Sequence, residues 1–227
     1  MKRVTPPEQL LRAIADDMRP VRPLPPLWKR VMAVAVTAVA VSVAVLATHA
    51  VRPDLLVLSP WVGWGAAVLE GLVGLVIMGL ALRESVPGSA LGGAVLGLSI
   101  SLAIVMNLVV AVATRIDVTG GADMWGPLTK GMICSRNEML FALPAFIVTI
   151  VFVTRALPIR PQIVGMLGGL GAGLVGDGIN HVLCPVSSLH HVLVWHTGAM
   201  IGLAIFGWCF GKIWLVIRGR RLDRERH

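Results

Sequence analysis

The chain has 227 residues, 56% of them hydrophobic and 14% charged, with a mean hydropathy of +0.81. Soluble domains run at about 45–50% apolar and about 25% charged, so this composition excludes a sizeable water-facing catalytic domain, and three cysteines are too few for a disulfide-stapled miniprotein. The net charge of +8 would suit nucleic acid, but its placement along the chain reads as membrane topology, and no direct nucleic-acid binding is expected.

The N-terminal head, residues 1–30, opens with Thr5-Pro6-Pro7-Glu8. Thr5 can cap a helix, Pro6 suits its first position, and Glu8 can close the capping box. Leu10, Leu11, Ile14 and Met18 then fall within an arc of about 100° on a helical wheel, opposite Arg12, Asp16 and Asp17. Arg19-Pro20 ends the helix, Pro20, Pro23, Pro25 and Pro26 make a stiff extended spacer, and Trp28 marks the membrane interface. A helix of about 13 residues is marginal alone in water, so its apolar stripe needs a partner. Either anionic membrane lipid or the groove of a cytoplasmic protein would serve; the residues alone modestly favour the lipid surface, although the two acids count against it.

Uncharged apolar runs predict six membrane-spanning helices across residues 31–217: Val31–Thr48, Trp61–Leu82, Gly88–Thr114, Glu138–Thr154, Pro161–Leu183 and Val192–Ile217. A basic tail, residues 218–227, follows. The fold class is therefore an all-α polytopic bundle with a short amphipathic N-terminal helix. Membrane strands need only about 10 alternating residues, and these runs are too long and continuous for that. Val31–Thr48 reads as an uncleaved anchor, because its apolar run is long and its Pro-rich lead is a poor signal-peptide start. Of the 20 basic residues, 16 lie in the head, the tail, the end of the sixth span (Lys212) or the loops at Arg83, Arg155 and Arg160; the other side has only Arg52, Arg115, Lys130 and Arg136. That bias places both termini in the cytoplasm.

The polar residues of the opposite, outer side carry the candidate chemistry. Cys134, at the outer start of the fourth span, and Cys184, at the outer end of the fifth, are expected at similar depth on neighbouring antiparallel helices. They could close a disulfide in an oxidising compartment if their Cα atoms come within about 7 Å. Asp177, His181 and Cys184 share a helical face by their spacing, and His190, His191 and His196 follow. Thiols with imidazoles suit Zn and softer metals; equally, the histidines can be polar caps at the water interface. Cys209 reads as packing.

Glu70 and Asp177 are intramembrane acids that Asn107 and Asn180 could hydrogen-bond across helices. They are either structural acids or part of an ion path, which keeps a small metal-ion or proton-coupled transporter as the alternative function. Gly171-x-Gly173-x-x-Gly176 matches the dinucleotide-binding string but lacks a strand before it. Gly165, Gly169 and Gly173 instead form a ridge for close helix packing. No nucleophile–base pair, HExxH or phosphate-binding loop is present, so no enzyme is expected.

The run Leu10-Leu11-Arg12-Ala13-Ile14-Ala15-Asp16-Asp17-Met18-Arg19-Pro20-Val21-Arg22-Pro23-Leu24 ahead of six spans resembles the NrsF-like membrane anti-sigma factors. Cys134-Ser135-Arg136 and His181-Val182-Leu183-Cys184-Pro185, followed by Val194-Trp195-His196, are similar to that family's two outer cysteine regions. The resemblance implies a bacterial inner-membrane protein whose cytoplasmic head sequesters an extracytoplasmic-function (ECF) sigma factor away from RNA polymerase. It implies that Cys134 and Cys184 sense a metal or redox stress, and assigns sigma contact to Leu10, Leu11, Ile14, Asp16, Asp17 and Met18, the set chosen on the helical wheel. No resident cofactor is required, though a transient Zn, Cd or similar ion is compatible with the outer Cys/His cluster.

Overall fold

The computed structural model describes residues 7–17, 23–117 and 128–224. The described residues form helices joined by short loops, with no strand among them. Helix α1 spans Glu8–Asp17 and α2 Leu27–Thr48. A π turn at Trp61–Gly65 leads into α3, Ala66–Glu84. Helix α4 is Gly93–Asp117, α5 Leu128–Ala156 and α6 Pro161–His181. The short α7, Leu189–His191, runs through a second π turn, Val192–His196, into α8, Thr197–Arg224. Six of the helical runs are long and apolar enough to cross a membrane, as the hydropathy pattern predicts.

Several boundaries differ from the apolar runs, in part because helices take in charged residues that the runs had placed at their ends or outside them. The first span begins at Leu27, not Val31. It takes in Arg30, whose guanidinium is buried and donates to the Leu82 carbonyl at 3.1 Å and to Ser85 Oγ at 3.5 Å. The fourth span begins at Leu128, ten residues before Glu138, so Cys134 lies inside α5 and not at its start. The third runs Gly93–Asp117, where the Asp117 carboxylate accepts from the Ser59 amide at 2.6 Å. The fifth stops at His181, three residues before Cys184. The sixth starts at Leu189 and stays helical to Arg224, so the expected tail continues the helix.

Helix α6 is the axis of the bundle and is almost entirely buried. Glycines make this possible. A Cβ at Gly165 or Gly169 would collide with the α8 backbone at Gly207 and Leu203, and one at Gly173 would press on Met200. The predicted ridge is thus the α6–α8 contact. On other sides Gly171 faces Gly74 of α3, and Gly176 faces the Glu138 carbonyl of α5. The string Gly171-x-Gly173-x-x-Gly176 therefore serves three helix contacts. Pro161 opens α6 at a position where its missing N–H costs nothing.

The two ends of the bundle are both polar and differ in chemistry. At the end carrying the termini, Arg160 pairs with buried Glu84 at 2.6 Å and donates to the Leu91 carbonyl, while Glu84 accepts from the Leu91 amide at 2.5 Å. Leu157, left-handed at φ 61°, and Pro158 turn the chain between α5 and α6 there. The other end, the thiol end, holds Cys134 and Cys184. Elsewhere the spans show large apolar side chains outward, such as Val36, Val39 and Val43 on α2 and Leu69 and Leu72 on α3. These are the faces that lipid covers.

Of the head, α1 has the expected amphipathic character. Glu8 and Arg12 pair at 3.6 Å on its exposed surface, and Leu11 is exposed. Leu10, Ile14, Asp16 and Asp17 lie on α1 with their side chains outside the description, and Met18, like the proposed cap at Thr5, lies outside the described residues.

Candidate functional site

At the thiol end, α5, the loop after α6 and the start of the last span converge. Cys134 and Cys184 are both buried with free thiols, and their sulfurs are 3.2 Å apart. The expectation of two thiols at one depth on neighbouring elements is met. Cys184 Sγ also lies 3.4 Å from His191 Nε2. His196 completes the group, so that one ligand atom from each of Cys134, Cys184, His191 and His196 lies within 4.8 Å of the others.

The π turn explains why both imidazoles reach this point. Residues five apart on an α-helix are rotated by about 140°. A π turn closes its hydrogen bond at i+5 and so stacks them, leaving the His191 and His196 rings 5.4 Å apart in an edge-on pair. Ser188 caps the short helix by accepting from the His191 amide at 3.2 Å. Ser135 Oγ donates to the Trp195 carbonyl at 2.7 Å, and Gly131 leaves room for the Trp195 ring. These contacts pin α5 against the π turn and hold Cys134 beside His196.

A carboxylate tier lies one turn deeper. His196 Nδ1 is 2.6 Å from Asp177 Oδ1 and 3.8 Å from Glu138 Oε2. Asn107 of α4 donates to the other oxygen of Asp177, and Thr197 Oγ1 donates to Asn107 Oδ1 at 2.5 Å. Because Thr197 follows His196 in the chain, these four side chains form a closed ring linking α4, α6 and α8. Glu70 lines the same small cavity as Asp177, Cys184 and His196. Neither oxygen of Glu70 or of Glu138 meets a donor in hydrogen-bonding geometry, and neither does His196 Nε2.

The loops fix Cys184 from outside. The Arg52 amide donates to the Val182 carbonyl, and its buried guanidinium donates to Ser187 Oγ and to both oxygens of Asp54 at 2.6–2.7 Å. That pairing holds the Asp54 carboxyl below its ordinary value, against the opposing effect of partial burial. Hydrogen bonding from Cys134, with a further bond from His191, lowers the Cys184 thiol well below its ordinary value despite burial. A thiol so placed is the stronger nucleophile and metal ligand of the pair.

Two histidines expected at the site are elsewhere. His181 bonds the Val62 carbonyl through Nε2 at 2.9 Å, and His190 is not in the thiol cluster. The face shared by Asp177, His181 and Cys184 assumed a helix through residue 184, whereas α6 ends at His181 and the chain turns. Asn180 bonds neither acid and donates to the Cys134 carbonyl at 3.3 Å. Glu138 was missed; its position four residues after Cys134, on one face of α5, was the signal available.

The architecture and this cluster define a polytopic all-helical membrane protein with a buried thiol–imidazole site at one end. The family model described as "Negative regulator of sigma F" (NrsF) matches residues 14–216, and the chain belongs to that family. By that description its members are negative regulators of a sigma factor, which is a regulatory role. No curated protein and no solved structure matches the chain.

Proposed function

We propose that this protein is an anti-sigma factor that holds an ECF sigma factor at the cytoplasmic face of the inner membrane and releases it on a periplasmic metal or redox signal. The observation that carries the sensing half is the 3.2 Å approach of the Cys134 and Cys184 sulfurs at the outer end of the central helix. The concentration of basic residues at the terminal end supports cytoplasmic termini.

In the resting state the head's apolar stripe, Leu10, Leu11, Ile14 and Met18, seats in a groove of the sigma factor, and Asp16 and Asp17 face its rim. Metal ligation, or oxidation of the two thiols to a disulfide with two protons and two electrons passed to a periplasmic thiol oxidant, moves the outer ends of α5 and α6. Helix α6 is packed backbone to backbone on its neighbours, so a shift at one end is felt at the other. There Arg160, Glu84 and Arg30 tie it to α3 and to the start of α2, from which the head emerges. Moving sigma from mostly held to mostly free takes about 5.5 kcal/mol of differential binding, within reach of thiolate–metal bonds.

Capture of the native sigma factor by the membrane-embedded full-length protein tests the holding half. The wild-type chain should retain it, and Leu11→Asp/Ile14→Asp should lose it while extracting from the membrane as wild type does. Equal capture by both would remove α1 as the contact. A second reading, a metal-ion or proton-coupled transporter, draws on the buried carboxylates Glu70, Glu138 and Asp177. It requires flux in proteoliposomes that Glu70→Gln and Asp177→Asn abolish.

A further inference from the structure

We infer that Cys134, Cys184, His191 and His196 together form a closed four-donor site for a thiophilic divalent cation of the zinc and cadmium type, with Asp177 as the positioning residue for His196. The inference deepens the sensing half of the proposed function and rests on it only for the consequence, sigma release.

The donor set selects the ligand class. Two sulfurs and two imidazole nitrogens suit a tetrahedral zinc-type ion, whereas magnesium and calcium take oxygen ligands. Tetrahedral bonds of about 2.3 Å to sulfur and 2.0–2.1 Å to nitrogen set the ligand atoms about 3.3–3.8 Å apart. The measured 3.2 Å between the sulfurs and 3.4 Å from Cys184 to His191 lie close to that range, and all four donors fall within 4.8 Å of one another. Binding closes with movements of about 1 Å or less.

Charge decides in the same direction. When the two thiols give up their protons to water, a divalent cation with two thiolates and two neutral imidazoles is electrically neutral. Such a unit can stay buried at the membrane boundary, where an uncompensated ion could not. All four residues are at least nine-tenths buried.

The second, independent observation is the state of His196. Its Nδ1 is engaged by Asp177 at 2.6 Å, which makes Nδ1 the proton-bearing nitrogen of the neutral ring and Nε2 the one that carries the lone pair. That Nε2 is buried without a hydrogen-bond partner. A carboxylate on one imidazole nitrogen with the other directed to the ion is the arrangement that orients metal-bound histidines. A disulfide between Cys134 and Cys184 would use half of the donors and leave this nitrogen orphaned; a cation uses all four. Asn107 and Thr197 complete the support by fixing Asp177 from α4 and α8.

The test is a titration of reduced full-length protein in detergent with Cd²⁺ alone, read by thiolate-to-cadmium absorption. X-ray absorption on the Zn²⁺-loaded form then counts neighbours. One ion per chain with two sulfur and two nitrogen neighbours is expected. Asp177→Asn should keep the stoichiometry and weaken binding about 10–100-fold. His191→Ala and His196→Ala should each weaken it further and remove one nitrogen neighbour, and His190→Ala should change neither readout. Coordination by sulfur alone, with both histidine variants binding as wild type does, would overturn the site, as would no bound ion at all. Sigma capture by the same preparations separates the two ideas. Capture without metal binding overturns this inference alone, and metal binding without capture overturns the anti-sigma reading alone.

Discussion

The two ends of α6 solve the same problem, polar side chains at a membrane boundary, in different ways. At the terminal end Arg160, Glu84 and the Leu91 backbone satisfy one another, and Arg30 is held by Leu82 and Ser85. At the thiol end the reverse holds. Among the described residues, six buried side-chain atoms lack a hydrogen-bond partner, and five of them belong to Glu70, Glu138 and His196; the sixth is Arg30 Nε. Buried polar groups are ordinarily paired, so a cluster of unpaired ones beside two thiols is what the proposed cation site would require. On that proposal the terminal end is built to stay closed, and the thiol end to accept a ligand.

The comparison predicts that lesions at the two ends fail differently. The largest effect should come from the axis that joins them. Gly169→Leu drives a side chain into the α8 backbone at Leu203 and should cost about 3 kcal/mol or more. Little folded protein should then survive detergent extraction. Next, Arg160→Ala leaves buried Glu84 with only the Leu91 amide and should cost about 2 kcal/mol. Its thermal unfolding should shift down while the alkylation rate of the thiols in the folded protein stays unchanged. Asn107→Ala removes a donor to Asp177 and an acceptor for Thr197, and should cost only about 1 kcal/mol. Yet it should change thiol alkylation, because His196 loses its support. Equal alkylation in the last two variants would erase the distinction between the ends.

The smallest effect concerns pH. The folded Asp54 carboxyl sits below its ordinary value because of Arg52. Its contribution to stability is therefore fully present above the unfolded value of about 3.9 and is lost as pH falls through the folded one. Unfolding followed downward from about pH 5 should show this loss in the wild type and a flatter profile in Asp54→Asn.

The six spans and the meeting of Cys134 with Cys184 were legible because hydropathy and alternation of direction determine depth, and depth was enough to pair two residues on adjacent elements. The Gly165, Gly169 and Gly173 ridge was legible for a related reason: small residues every fourth position can face only a close neighbour. The exact ligand set was not legible. It depends on where a helix stops and where its pitch changes, and both are local events that a regular wheel cannot carry. Stopping α6 at His181 removed that imidazole from the cluster, and the π turn at Val192–His196 brought His191 and His196 onto one side. Boundaries drifted wherever a charged residue, such as Arg30 or Glu138, was buried within a helix and not at its end.

The central claim, that occupancy of the thiol end controls the head, is tested most directly by sigma release from membranes. Vesicles carrying the reduced full-length protein loaded with its sigma factor would receive Cd²⁺ on the thiol side, and the sigma factor remaining with the membrane would be measured. The account expects retention before Cd²⁺, release after it, and retention throughout in Cys134→Ser/Cys184→Ser. Release from that double variant equal to wild type, or retention by the wild type at saturating Cd²⁺, would contradict it.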